Sequence, residues 1–171
     1  MRKEQARARV RPKQAVPIFF EKIAKLCLYL RGLVFSESTS AVQRYICARD
    51  LAFFCLVFYA GDRGSDLGRI FTKEIASLPD GDGFLFRHTF GKTLRGGEKC
   101  NTFMVKKCSD PKTCPVANLK LYVKLCDLLS VNLRGGYLFR VLNSKNEISE
   151  DSFVGSAVAN RLLLHLRSAK S

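Results

Sequence analysis

Acidic side chains are scarce in this sequence. Fifteen Asp and Glu stand against 29 Lys and Arg, which leaves a formal net charge of +14 at neutral pH. A surplus of that size repels itself unless an anion compensates it, and nucleic acid is the commonest such anion. Histidine is scarcer still, with only His88 and His165, and a zinc site would have to combine His88 with Cys100, Cys108 and Cys114. The seven cysteines (27, 47, 55, 100, 108, 114 and 126) contain no Cys-x-x-Cys pair. With spacings of 8 and 6 between Cys100, Cys108 and Cys114, a zinc site is disfavoured and no metal is expected. No secretory signal is recognisable, because the basic N-terminus lacks a following apolar segment and cleavage site. Reduced thiols in a nuclear compartment, or a cytoplasmic one if the source is not eukaryotic, are the expectation. The longest apolar run, 51–60, is about half of the roughly 20 residues that a membrane span needs. Repeats and low-complexity segments are also missing.

What is present fits a packed domain. Across 171 residues the apolar fraction is 47%, with 13 Phe, enough to bury a core. The charge is unevenly spread. Residues 1–35 carry nine basic and two acidic side chains, 87–112 seven and two, and the intervening 61–82 three and five. Two basic patches with a mixed segment between them suggest a surface that follows phosphates.

Residues 1–16 are basic, with Pro12 and Pro17 around their end, and read as a linker or arm. Pro17 is expected to open a helix ending near Gly32, with Phe19, Ile23, Leu26, Leu30 and Leu33 on one stripe. Ser36, Ser38, Thr39 and Ser40 offer caps for a second helix over 41–60. Its second half is apolar all round, so it should be the central buried helix, stopped by Gly61. A short helix is expected over 65–71. The period then changes to two, and 72–78, 83–90 and 100–107 read as three strands separated by Gly-containing turns. Pro115 starts another helix, with Leu119, Tyr122, Cys126 and Leu129 on one face. A brief extended piece, 137–139, follows Gly135-Gly136, with Tyr137 as a packing anchor. A last helix is expected from Ser149-Glu150-Asp151, carrying Val154, Val158, Leu162 and Leu166. The order predicts an α+β domain, mainly α, with helices around a small three-stranded antiparallel sheet.

Two local patterns can carry chemistry. In the first, 59–67 (YAGDRGSDL), a buried helix runs into Gly61 and then presents Arg63 at the start of a new helix. A guanidinium on such a rigid mount can hold a phosphate bidentately, and Asp66, one turn on, can orient it. In the second, 86–97 (FRHTFGKTLRGG), Lys92 lies among Gly and Arg near a hairpin tip, where it can follow a DNA backbone. Arg87, Arg95 and Lys99 are the accompanying candidates for backbone contact. Taken singly, the first pattern also fits an ordinary helix corner with a surface ion pair, and the second a solvated basic turn.

Together and in this order, the two patterns resemble the tyrosine recombinase (phage integrase) family. Residues 60–67 are similar to its first arginine box, Ala/Thr-Gly-x-Arg-x-x-Glu/Asp-Leu. Cys114-Pro115-Val116 with Tyr122 resembles a Cys-Pro-x-x-x-Leu-x-x-Tyr stretch of transposon-borne members. The wording RDLAFF and GDRGSDLG looks closest to recombinases of eukaryotic mobile elements, of the DIRS and crypton kinds. Lys13-Gln14-Ala15-Val16-Pro17 resembles the linker into the catalytic domain, so 17–171 would be a partial catalytic domain, and the likeness covers roughly 13–165. The resemblance implies double-stranded DNA as partner, other recombinase protomers as further partners, and no cofactor or small-molecule substrate. It makes Arg63 the first transition-state clamp and Lys92 the general acid.

The family's second box, His-x-x-Arg, and its nucleophilic Tyr have no match here. His165-Leu166-Arg167 has the wrong spacing: two residues apart on a helix is about 200°, and the pair reads as a helix-surface pair. Tyr29, Tyr45, Tyr59 and Tyr122 fall on expected helices as core or helix-face residues. The expectation is a DNA-binding recombinase half that does not cut alone. The alternatives are a non-catalytic DNA-binding remnant or regulator, and a basic protein-interaction module. A cut-off domain should also expose an apolar stripe through Val158, Leu162 and Leu166.

Overall fold

The computed structural model describes residues 18–61, 63–89 and 100–169. In chain order the elements are α1 (Phe20–Phe35), α2 (Ala41–Ala60) and α3 (Gly64–Leu67); β1 (Ile75–Ser77), β2 (Gly83–His88) and β3 (Asn101–Lys106); α4 (Pro115–Leu128); β4 (Arg140–Leu142) and β5 (Ile148–Ser152); and α5 (Ser156–Ser168). The protein is α+β and mainly α, with an antiparallel sheet ordered β1-β2-β3 and a separate β4-β5 hairpin.

α2 is the central element, because few of its positions are polar enough to prefer water. Every residue from Cys47 to Leu56 is buried. Its start is fixed by Ser40, whose Oγ accepts the Gln43 N–H at 3.3 Å. Its end is fixed by Gly61 at φ 62°, whose N–H reaches the Val57 carbonyl at 3.1 Å. α1 and α4 pack on either side of it. Phe53 is the hub: its ring meets Phe54, Phe139 and Phe153 edge-on at 5.5, 5.2 and 4.9 Å. Tyr45 and Tyr122 close the far end of the core, fully buried, and both hydroxyls find backbone carbonyls, at Arg140 and Leu138 respectively. Burial pushes both phenols above their ordinary pKa. They stay protonated at neutral pH and act as packing residues.

α1 runs past Gly32 to Phe35. A glycine in a helix interior costs about 1 kcal/mol, and burial of Val34 in the following turn offsets it. Its buried stripe is Ile23, Leu26, Cys27, Leu30 and Val34, whereas Phe19 is exposed and Leu33 half-buried. The expected third helix ends at Leu67 rather than at 71. Ile70 and Phe71 are recruited into a bridge with the 136–138 backbone: Leu138 N–H to Ile70 O at 2.9 Å, and Thr72 N–H to Gly136 O at 3.0 Å. The first strand is shorter than 72–78, because Thr72–Glu74 form a 3-10 turn in which Glu74 accepts the Phe71 N–H at 2.8 Å.

The last helix does not start at 149. Residues 148–152 form β5, and α5 begins at Ser156 after Gly155, at φ 64°. The hairpin turn is built by Asn143, whose side chain accepts the N–H groups of Lys145 and Glu147, both at 2.9 Å, and by Asn146 at φ 61°. Ser149-Glu150-Asp151 therefore lies on a strand paired with β4. The expected exposed stripe is also reversed. Val158 and Leu162 pack on the core and Leu166 is half-buried, while Leu163 and Leu164 are the exposed leucines. Among the described residues no helix is long and apolar enough to cross a membrane.

Candidate nucleic-acid interface

The corner that carries Arg63 is held from two sides. Arg63 occupies the N-cap of α3 and is exposed. Its carbonyl accepts the N–H groups of Asp66 and Leu67, each at 3.0 Å. A Cβ added at the next residue, Gly64, would lie 3.7 Å from the Phe53 ring and 3.8 Å from Val158, so the backbone rests directly on α2 and α5. At Gly68 the approach is closer: a Cβ would fall 2.0 Å from the Phe153 carbonyl oxygen. Leu67 and Ile70 are fully buried beneath. The guanidinium at 63 thus projects from backbone that is fixed before any ligand arrives. Asp66 stands one helical turn away, half-exposed, with its Oδ1 accepting the Ser65 hydroxyl at 3.3 Å.

β2 and β3 form the second part. Their register pairs Gly83 with Lys106 and His88 with Asn101, so residues 89–100 connect adjacent antiparallel strands. Phe86 and His88 point inward and are buried, while Arg87 between them is exposed, opposite Thr102. Lys92, Arg95 and Lys99 lie outside the described residues. Lys106 and Lys107 add exposed positive charge at the other end of β3, with Lys107 3.6 Å from Asp82.

A polar cluster that the sequence reading missed joins α2 to α5. Asp50 has no exposed surface, and its neighbours Arg49 and His165 are 3% and 2% exposed. Asp50 Oδ1 accepts Arg49 Nη2 at 2.6 Å and Nε at 2.9 Å; Oδ2 accepts Arg161 Nε at 2.7 Å and lies 2.7 Å from His165 Nε2. Burial alone would raise the Asp50 pKa. The hydrogen bond from His165 and the charges of Arg49 and Arg161 outweigh it and hold the carboxyl below its ordinary value. An ionised carboxylate only accepts, so the His165 proton sits on Nε2. Arg49 also stacks on the Phe153 ring at 3.9 Å and gives its Nη1 to the Arg140 carbonyl at 2.9 Å. His165 and Arg167 do point apart, but His165 is a buried partner of Asp50 and not one of a surface pair; Arg161, one turn earlier, meets the same carboxylate oxygen. The legible signal was the charged pair Arg49-Asp50 inside an otherwise buried helix.

Among the described residues no three His, Cys, Asp or Glu side chains converge as metal ligands. Cys100 is exposed, Cys108 half-buried and Cys114 buried. Cys114 serves as the N-cap of α4, its sulfur facing the Ala117 N–H at 3.5 Å.

No protein-family model and no curated protein matches this chain.

Proposed function

We propose that this chain binds double-stranded DNA as part of a DNA breaking-and-rejoining domain of the tyrosine recombinase kind, with Arg63 as a phosphate clamp oriented by Asp66. The observation that carries the reading is the mount of Arg63. It is an exposed guanidinium at the N-cap position of α3, on backbone fixed by two glycines against α2 and the Phe153 backbone. The small antiparallel sheet follows it in the order the resemblance requires, with Arg87 outward on β2. Lys92 is the proposed general acid, with Arg95 and Lys99 as backbone contacts. Arg49 and Arg161 belong to the interior, bound to Asp50, so they are not part of the DNA-facing charge.

The sequence has no His-x-x-Arg and no tyrosine after such a box. The reading therefore assigns this stretch DNA binding and phosphate positioning, not strand cleavage, and needs no cofactor. The test is a fluorescence-anisotropy titration of a duplex with the chain between 50 and 200 mM salt. Affinity should fall steeply, with a slope in log–log form of about −0.9 per phosphate neutralised. Arg87→Ala should lower that slope by about one across unrelated sequences, while Arg63→Ala should leave affinity nearly unchanged. A flat salt response, or no binding at low salt, overturns the reading in favour of a basic protein-interaction module. A collapse of affinity on Arg63→Ala would make that residue a grip and not a clamp.

A further inference from the structure

We infer that the cleft between the loop after α4 and β5 is a binding site for a small phosphate ester, with Arg140 as its anion hook. The cleft encloses about 510 Å³, and its walls include Phe71, Val131, Arg134, Tyr137, Arg140 and Glu150. It includes neither Arg63 nor Arg87, so the inference stands apart from the DNA reading.

Arg140 is only 7% exposed. Its Nε donates to the Tyr137 carbonyl at 3.1 Å, which fixes the plane of the guanidinium. Among the described residues its terminal nitrogens donate to no protein acceptor, and no carboxylate lies within ion-pair distance of them. The contrast with Arg49 is instructive, since that side chain is equally buried but saturated by Asp50 and a carbonyl. A buried cation lacking a counter-charge is costly, and such an arrangement suits a site that receives an anion from outside. The room for it is built in: a Cβ on Gly136 would sit 2.3 Å from Arg140 Nη2. Only glycine lets the guanidinium lie there.

The ligand class follows from the remaining walls. Arg134 adds a second, exposed guanidinium at the same cleft, so the site favours an anion that can engage two forks, as a phosphate does. The volume exceeds a bare ion and falls within the range of small-molecule pockets. Phe71 and Tyr137, stacked at 4.5 Å, and Val131 offer apolar surface to an organic group carried by the phosphate. Glu150 contributes a negative charge that opposes the anion and can accept a hydroxyl or amino group of its organic part.

The test uses the full chain, titrated with inorganic phosphate, 5′-AMP and acetate at constant ionic strength. Amide NMR shifts over 130–140 are the readout. Phosphate and 5′-AMP should give saturable shifts there, with 5′-AMP tighter and acetate far weaker. Arg140→Gln should weaken 5′-AMP at least about tenfold. Because that change can disturb the fold, Arg134→Gln and Glu150→Gln supply independent tests at exposed positions. The first should weaken binding by about threefold and the second strengthen it by a similar factor. Absence of saturable shifts with either phosphate, equal binding of acetate, or unchanged affinity in both exposed variants overturns the proposal. A competing DNA duplex separates the sources. Loss of the 5′-AMP shifts identifies a DNA phosphate as the occupant; their persistence identifies a small molecule.

Discussion

Asp50 has two guanidinium partners, Arg49 and Arg161, a hydrogen bond from His165 and no solvent, and the energetics of such a site are asymmetric. Replacing the whole cluster by apolar residues of similar volume can be neutral, but removing one member leaves buried charge uncompensated. Asp50→Asn should therefore destabilise the chain by about 3–5 kcal/mol, read as a shift in the urea midpoint. The sign with pH follows from the depressed carboxyl. Its contribution is complete above the unfolded-state value, about 3.9, and is lost as pH falls through the lower folded-state value. The gap between wild type and Asp50→Asn should stay constant from neutral pH down to about 5 and close in more acid solution. A gap that closes near neutrality would mean that another group, not Asp50, governs it. The residue is legible in the sequence only as a charge in the wrong place. Its partners Arg161 and His165 lie more than a hundred positions away, and helical spacing alone cannot say that their face of α5 meets α2.

At the level of elements, the α3 corner depends on a backbone contact that no side chain could replace. Gly68→Ala would drive a methyl into the Phe153 carbonyl, so either α3 or the β5–α5 connection must move. Overpacking of this kind costs typically about 1–3 kcal/mol. The displacement should also reach Arg63, five residues earlier at the other end of α3, so hydrogen exchange at Leu67 and Phe153 should rise together. Gly61, which has nothing near its Cβ position but a φ of 62°, would show a backbone penalty without that paired response. Elements with strong local punctuation were readable in advance. α2 has Ser40 and Gly61 at its ends, α4 has Pro115, and the β2–β3 pair has two-residue alternation. The β4–β5 hairpin was not readable, because an acidic Ser-Glu-Asp start imitates a helix N-terminus. Its true signal, the Asn143–Asn146 turn, depends on side-chain-to-backbone bonds that periodicity does not register. The shortened α3 has the same origin: residues 70–72 pair with backbone from 136–138, a contact set by tertiary structure.

Across the whole molecule, a net charge of +14 acts on folding and on binding with opposite signs. In the free protein, like charges spread over one small domain repel each other and weaken the folded state, in which they are closest. Added salt screens that repulsion, with a Debye length of about 10 Å at 0.1 M. Thermal stability should therefore rise as sodium chloride goes from 20 to 200 mM. The Asp50 cluster is too deeply buried to be screened comparably, so it should not reverse the trend. Over the same range DNA affinity should fall, because releasing the counterions condensed on DNA gains less when the bulk salt is higher. The two trends can be measured on one preparation, by melting curves and by duplex titration, and their opposition is what matters. If stability and affinity both fell with salt, surface ion pairs would be supporting the fold while enough basic groups remained free to meet phosphates. If stability rose and affinity did not change, the surplus would be real but not directed at phosphates. A rise in one with a fall in the other is the outcome expected of a surface that lacks its counter-charge until a polyanion arrives.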